Sequence, residues 1–137
     1  MDPAVSLKAA ERLFSSVEKG DLEALRDVFA PDAWVWHASD NKKMTVEHSI
    51  KSIRAIQRSA SEYRYTEIKR QPTPEGFVQQ HVLLIMLHTG HKIVDRACCV
   101  CGVKDGRIAF MEAYHDPAVF NVDGFGRRPT PLQAPSH

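Results

Sequence analysis

No stretch of this 137-residue chain is both long and apolar. The longest aliphatic run, residues 82–87, is far too short to cross a bilayer. Charge of one sign is missing too. Eighteen Lys and Arg face seventeen Asp and Glu, and they are scattered rather than run together. That removes the electrostatic footprint expected of a nucleic-acid or anionic-membrane partner. The start, Met1-Asp2-Pro3-Ala4, has neither the basic residues nor the apolar core of a secretion signal, so a cytoplasmic protein is expected. Cysteine is scarce: Cys98, Cys99 and Cys101 are the full set. An odd, tightly clustered trio is a poor disulfide framework and suits a reducing compartment. On a strand Cys98 points away from Cys99 and Cys101, and no second CxxC completes a tetrahedron, so no metal is expected.

What is present has the balance of one globular domain with a single core. Val5, Ala9, Leu13 and Val17 recur every fourth position and predict a helix over residues 5–18, capped by Ser6 and closed by Gly20. Asp21 caps a second short helix carrying Leu22, Leu25, Val28 and Phe29, which Pro31 ends. Residues 33–38 read as a strand with Trp34 and Trp36 on one face and Val35 and His37 on the other. A polar loop follows, and Thr45 caps a third helix lined by Val46, Ile50, Ile53 and Ile56. The rest is strand-rich: residues 63–70, 77–88, 92–103 and 107–115, punctuated by Pro72-Thr73-Pro74-Glu75-Gly76, Thr89-Gly90 and Asp105-Gly106. Residues 82–87 and 97–100 are apolar on both faces, so one face lines the interior and the other needs a cover. A homodimer packed through the sheet is the expected cover. From residue 121 onward Gly, Pro and Arg dominate, which predicts a 1–120 domain followed by a 121–137 arm.

The order helix, Gly-Asp, helix, strand, helix, then strands closing on Asp-Gly-Arg-Ile resembles the nuclear transport factor 2-like superfamily. Within it, the chain is most similar to ketosteroid isomerases and small polyketide cyclases. Two stretches carry the resemblance: Gly20-Asp21-Leu22-Glu23-Ala24 through Pro31-Asp32-Ala33, and Gly106-Arg107-Ile108 through Met111-Glu112-Ala113-Tyr114. It implies an α+β fold, a cone-shaped, mainly antiparallel sheet wrapped around a pocket with three helices from the N-terminal half. The fold hosts several reactions and some non-enzymes. The resemblance places His37 where the isomerases carry their general-base Asp. It places Leu13 where they carry an oxyanion-hole Tyr, and Cys99 (or Cys98, one position over) where they carry the oxyanion-hole Asp. The Asp of the limonene-type epoxide hydrolases corresponds to Ala113.

The resemblance turns His37 toward the cone's interior, next to Trp36. An imidazole titrates near ~6.5 and can take or give a proton at neutral pH. Its orienting carboxylate is Asp40, three residues on, or Asp95 from a neighbouring strand. In this register Gln80 and His115 also project inward, amid Val82, Leu84, Met86, Ala97, Cys99 and Met111. A one-residue shift exchanges Gln80 for His81. Gln80 would hold a substrate oxygen and His115 would act as an acid opposite His37. Two functions fit. One is a cofactor-independent enzyme moving a proton on a small apolar carbonyl or hydroxyl compound, by isomerisation, dehydration or cyclisation. The other is a non-catalytic binding or interaction module using the same cavity or the outer sheet face.

Overall fold

The computed structural model describes residues 2–122; the Pro/Gly-rich arm predicted from residue 121 therefore lies almost wholly outside the described residues. Helix α1, Pro3–Lys19, starts two residues earlier than its apolar stripe suggests. Asp2, not Ser6, is its cap: the Asp2 carboxylate accepts the Ala4 N–H, and Pro3 tolerates the first turn because it has no N–H to leave unpaired. Ser6 is buried instead. Gly20 adopts a left-handed φ of 70° and its N–H bonds back to the Ser16 and Val17 carbonyls, which stops the helix. Asp21 then caps α2, Leu22–Val28, by accepting the Ala24 N–H. Helix α2 ends at Val28, before Pro31, which sits in strand β1, Phe29–His37. The register shift between Phe29 and Trp34 accommodates that proline.

Residues 38–41 turn β1 into β2, Lys42–Thr45, a short polar edge strand where the sequence suggested only loop. Thr45 accepts the His48 N–H and caps α3, Val46–Arg58. Four long strands follow: β3, Ala60–Pro72; β4, Gly76–Leu87; β5, Lys92–Lys104; and β6, Arg107–His115. Asp105 and Gly106, both at positive φ, make the two-residue turn from β5 to β6. A short 3₁₀ helix, Pro117–Phe120, comes after β6.

The six strands form one sheet in the order β2-β1-β6-β5-β4-β3. Every neighbouring pair is antiparallel except β1 and β6. This is the expected α+β architecture, a curved mixed sheet with three helices among the described residues. Helices α1 and α3 lie across the concave face, α1 over β3 and β4 and α3 over β1 and β3. One core cluster joins Leu13, Leu25 and Val28 of the helices to Phe77, Cys101 and Ile108 of the sheet. A second gathers Leu83, Ile85, Leu87 and Ile93 under Val119 and Phe120. Burying side chains of this size contributes roughly 1.5–3 kcal/mol each, so these clusters anchor the helices to the sheet.

Candidate active site

Between the two clusters the concave face is not filled. A cavity of about 400 Å³ remains there, within the range that small-molecule sites occupy. Its walls are mainly apolar: Leu13, Phe14 and Val17 from α1, Ile50, Ile53 and Ile56 from α3, Val35 and Met111 from the sheet. Into this surface project three histidines, His37, His81 and His115, one buried carboxylate, Asp95, and two tyrosines, Tyr63 and Tyr65.

His37 ends β1, opposite Ala113 of β6, and its ring meets that of His115 edge to face at 6.1 Å. Strand pairing sets this distance. Ala113 and His115 point to the same face of β6, so the last residue of β1 lands beside them. His115 in turn pairs with Ala97 of β5, which brings Asp95, two residues earlier, to its side. Asp95 Oδ1 and His115 Nδ1 are 3.3 Å apart, with both side chains largely shielded from water.

These contacts push the two histidines in opposite directions. The hydrogen bond to Asp95 raises His115 above its ordinary value, against the opposing effect of burial. Burial lowers His37, and the charge on His115 lowers it further; Asp40 pulls weakly the other way. His37 Nδ1 is buried without a hydrogen-bond partner among the described residues, so no neighbour fixes its tautomer. The arrangement gives one neutral imidazole and one that favours the imidazolium, side by side in an apolar cavity. Two titratable groups driven apart in this way can divide acid and base duties between them.

The remaining polar groups are held neutral. Burial pushes the Tyr63 hydroxyl up to about 12 and Tyr65 well above its usual value. Burial likewise pushes the Cys99 thiol up to about 12, which leaves it a small inert wall residue rather than a nucleophile. His81 is pushed down to about 4 by burial, with Asp95 opposing and Arg70 adding to the shift.

Of the residues singled out from the sequence, His37, Asp40, Asp95, Cys99, Met111 and His115 line the cavity. Asp95 partners His115, not His37. Asp40 folds back on its own loop, its carboxylate accepting the Lys42 N–H, and touches His37 only through its charge. Gln80, Val82, Leu84 and Met86 do not line the cavity, because β4 runs in the opposite parity. Gln79, His81, Leu83 and Ile85 are the inward set, paired with the inward residues Cys99, Ala97, Asp95 and Ile93 of β5. Gln80 lies exposed on the outer face. Trp36 is also on that face, packed against Tyr114 at 5.6 Å and donating its indole N–H to Asn41. His81, Tyr63 and Tyr65 were missed as site residues. The Tyr63/Tyr65 alternation was a usable signal, whereas the unbroken apolar run after His81 carried no parity at all.

The described residues hold no group of three or more His, Cys, Asp or Glu arranged to bind a metal ion, and none of their helices is long and apolar enough to cross a membrane. No protein-family model matches the chain, and no curated protein sequence does. Solved structures match it in shape. The proposed polyketide cyclase IdmH of Streptomyces antibioticus superposes with a TM-score of 0.73 at 18% identity, over 83% of this chain and 94% of that one. An LEH-like epoxide hydrolase of M. tuberculosis gives 0.70 at 14% identity, over 91% and 92%. An NTF2-like protein of unknown function from Burkholderia pseudomallei gives 0.70 at 17%, over 83% and 92%. Identities this low speak to architecture, and with the sheet order and the helices packed on its concave face they agree on one: the chain has the nuclear transport factor 2-like fold.

Proposed function

We propose that the protein is a cofactor-independent enzyme that transfers a proton on a small apolar carbonyl or hydroxyl compound. The observation that carries this reading is the His37–His115–Asp95 arrangement, two adjacent imidazoles whose proton affinities are shifted in opposite directions in a mainly apolar cavity. Neutral His37 takes a proton from carbon next to a carbonyl, and the bonding pair moves to the carbonyl oxygen as an enolate. His115, held as imidazolium by Asp95, returns a proton to the other end of the conjugated system (isomerisation) or to a departing hydroxyl (dehydration). In a cyclisation, the enolate carbon attacks a second carbonyl and His115 protonates the new alkoxide. All three begin with the same abstraction, so the geometry supports the class. The proposed cyclase and the epoxide hydrolase among the structural neighbours support an enzyme reading of this fold, not a substrate. The substrate is an apolar molecule matched to the walls, and the working form is a cytoplasmic homodimer.

A second reading, a non-catalytic binding module, is favoured by a different observation. Leu13 and Cys99, which occupy the oxyanion-donor positions implied by the resemblance, are an apolar side chain and an un-ionised thiol on the cavity wall. Native mass spectrometry of the purified protein, followed by incubation of any retained molecule with wild type and His37→Ala, separates the two. Conversion by wild type and not by the variant is expected. A retained molecule that neither protein changes would favour the binding module.

A further inference from the structure

Unlike His37, His81 has a side-chain partner that dictates its tautomer, and that partner, Gln79, lies outside the cavity lining. Its Nδ1 lies 3.0 Å from the Gln79 amide nitrogen. The amide cannot be turned around, because Gln79 Oε1 accepts the Arg70 Nε–H at 2.6 Å and a guanidinium can only donate. The amide NH₂ therefore faces His81, and Nδ1 must be the unprotonated acceptor. The single ring proton is then on Nε2. Arg70 is itself held by Glu11 of α1, at 3.3 Å, and its guanidinium lies 5.8 Å from the ring of Phe14. Phe14 and Tyr65 bracket the His81 ring edge to face at 5.5 and 4.7 Å, which fixes its plane.

A bulge in β3 places Arg70 in this chain. Between Thr66, paired with Val82, and Lys69, paired with Gln80, β3 carries one extra residue, with Glu67 at a φ of 50°. The insertion switches parity, so that Tyr63 and Tyr65 face inward before it and Arg70 after it, directly opposite Gln79. A regular strand would have turned Arg70 outward.

We infer that His81 is a fixed neutral hydrogen-bond donor of the cavity, its Nε2–H held by a Glu11–Arg70–Gln79 chain to receive an acceptor oxygen, a carbonyl or enolate, on the ligand. Arg70 and Gln79 are positioning residues; they reach the ligand only through His81. Burial and the nearby Arg70 charge oppose protonation of the ring, and Asp95 is the one neighbour favouring it. Within the proton-transfer reading, on which only this part rests, His81 stabilises the oxygen as negative charge develops there. It thus fills the role left open by Leu13 and Cys99.

The test reads the ring directly, without turnover. Long-range ¹⁵N–¹H NMR of the wild-type protein should show His81 with Nε2 protonated and Nδ1 bare from pH 8 down to about 5. A proton on Nδ1, or both nitrogens protonated near neutrality, overturns the assignment. In Gln79→Glu the carboxylate accepts from both Arg70 and the ring, so Nδ1 should become protonated. Arg70→Met, at a side chain 17% exposed, releases the amide without adding a core charge and should yield a mixture of tautomers. A single Nε2–H form persisting in both variants would show that the chain does not hold it. For the ligand class, 1-tetralone should bind about tenfold more tightly than tetralin, the scale of one buried hydrogen bond, and His81→Phe should erase the preference. No preference for the ketone, or one that survives in His81→Phe, removes the acceptor-oxygen assignment. Loss of turnover in His37→Ala bears on the reaction alone, so the two failures are distinguishable.

Discussion

The rings of His37 and His115 meet edge to face at 6.1 Å, yet only His115 has a carboxylate, Asp95, at its side. Burial and the charge on His115 lower His37, while the hydrogen bond to Asp95, with the charge of Asp116 adding to it, raises His115. The asymmetry follows from strand pairing: β1 joins β6 in parallel and ends at His37, while β5 crosses β6 antiparallel and carries Asp95 past His115.

With His37 as the base, His37→Ala should lower turnover by about 10²–10⁴-fold with the fold intact, and His37→Gln should be nearly as damaging. Asp40→Asn should cost far less. An Asn oxygen can still accept the Lys42 N–H, and Asp40 reaches His37 only through its charge. Equal losses in the Asp40 and His37 variants would point to loop collapse rather than lost base chemistry.

The pH profile should be a bell. Its acid limb lies below the ordinary histidine value, since His37 is depressed and must be neutral. Its alkaline limb lies above that value, since His115 is raised and must be protonated. Asp95→Asn removes the main cause of the upward shift, so the alkaline limb should move to lower pH and the bell should narrow. An alkaline limb unmoved in Asp95→Asn would detach His115 from the reaction. NMR titration of the His115 ring checks the shift without substrate.

His81 should leave a mark on stability. Its folded value of about 4 lies below the unfolded value near 6.5, so between these the unfolded chain binds more protons. The stability it contributes is present above ~6.5 and is lost as pH falls toward 4, by up to roughly 3 kcal/mol. His115, with its raised value, acts in the other direction, contributing below ~6.5 and losing that contribution as pH climbs through its folded value. Denaturant unfolding at several pH values should therefore show a shallower acid-side decline in His81→Phe than in wild type. Parallel curves would mean that His81 titrates normally.

The outer sheet face is proposed to bury against a second copy of the chain. Trp34 stacks on Phe110 at 5.1 Å, Trp36 packs on Tyr114, and Tyr114 is 43% exposed. Gly102 leaves room for the Phe110 ring, since a Cβ there would lie 2.1 Å from it. Light scattering should give a dimer mass, and Phe110→Lys should shift it toward monomer. A monomer mass for wild type at high micromolar concentration would count decisively against this interface.

Apart from β2, the Ser6 cap and the Pro31 stop, element order and the local stops were written in the chain by itself. Gly20, Asp21, Thr45 and the Asp105-Gly106 turn act within a few residues through caps and positive φ, and each does in the structure what its chemistry dictates. Alternation in β1 puts Val35 and His37 on one face, the family resemblance turned that face inward, and His37 does line the cavity. The facing of β4 was not legible. An apolar run with both faces covered has no alternation to read, so a one-residue slip exchanged Gln80, Val82, Leu84 and Met86 for His81, Leu83 and Ile85. Pairing with β3 and β5 made that choice, and a bulge at Glu67 carried Arg70 to Gln79. The choice between Asp40 and Asp95 likewise needed the tertiary structure. Sequence proximity put Asp40 near His37, but a short loop satisfies its own amides first, whereas strand pairing brings Asp95 from twenty residues away onto His115. Local backbone chemistry is encoded residue by residue; which side chains share a cavity depends on strand register, and only the assembled sheet sets that.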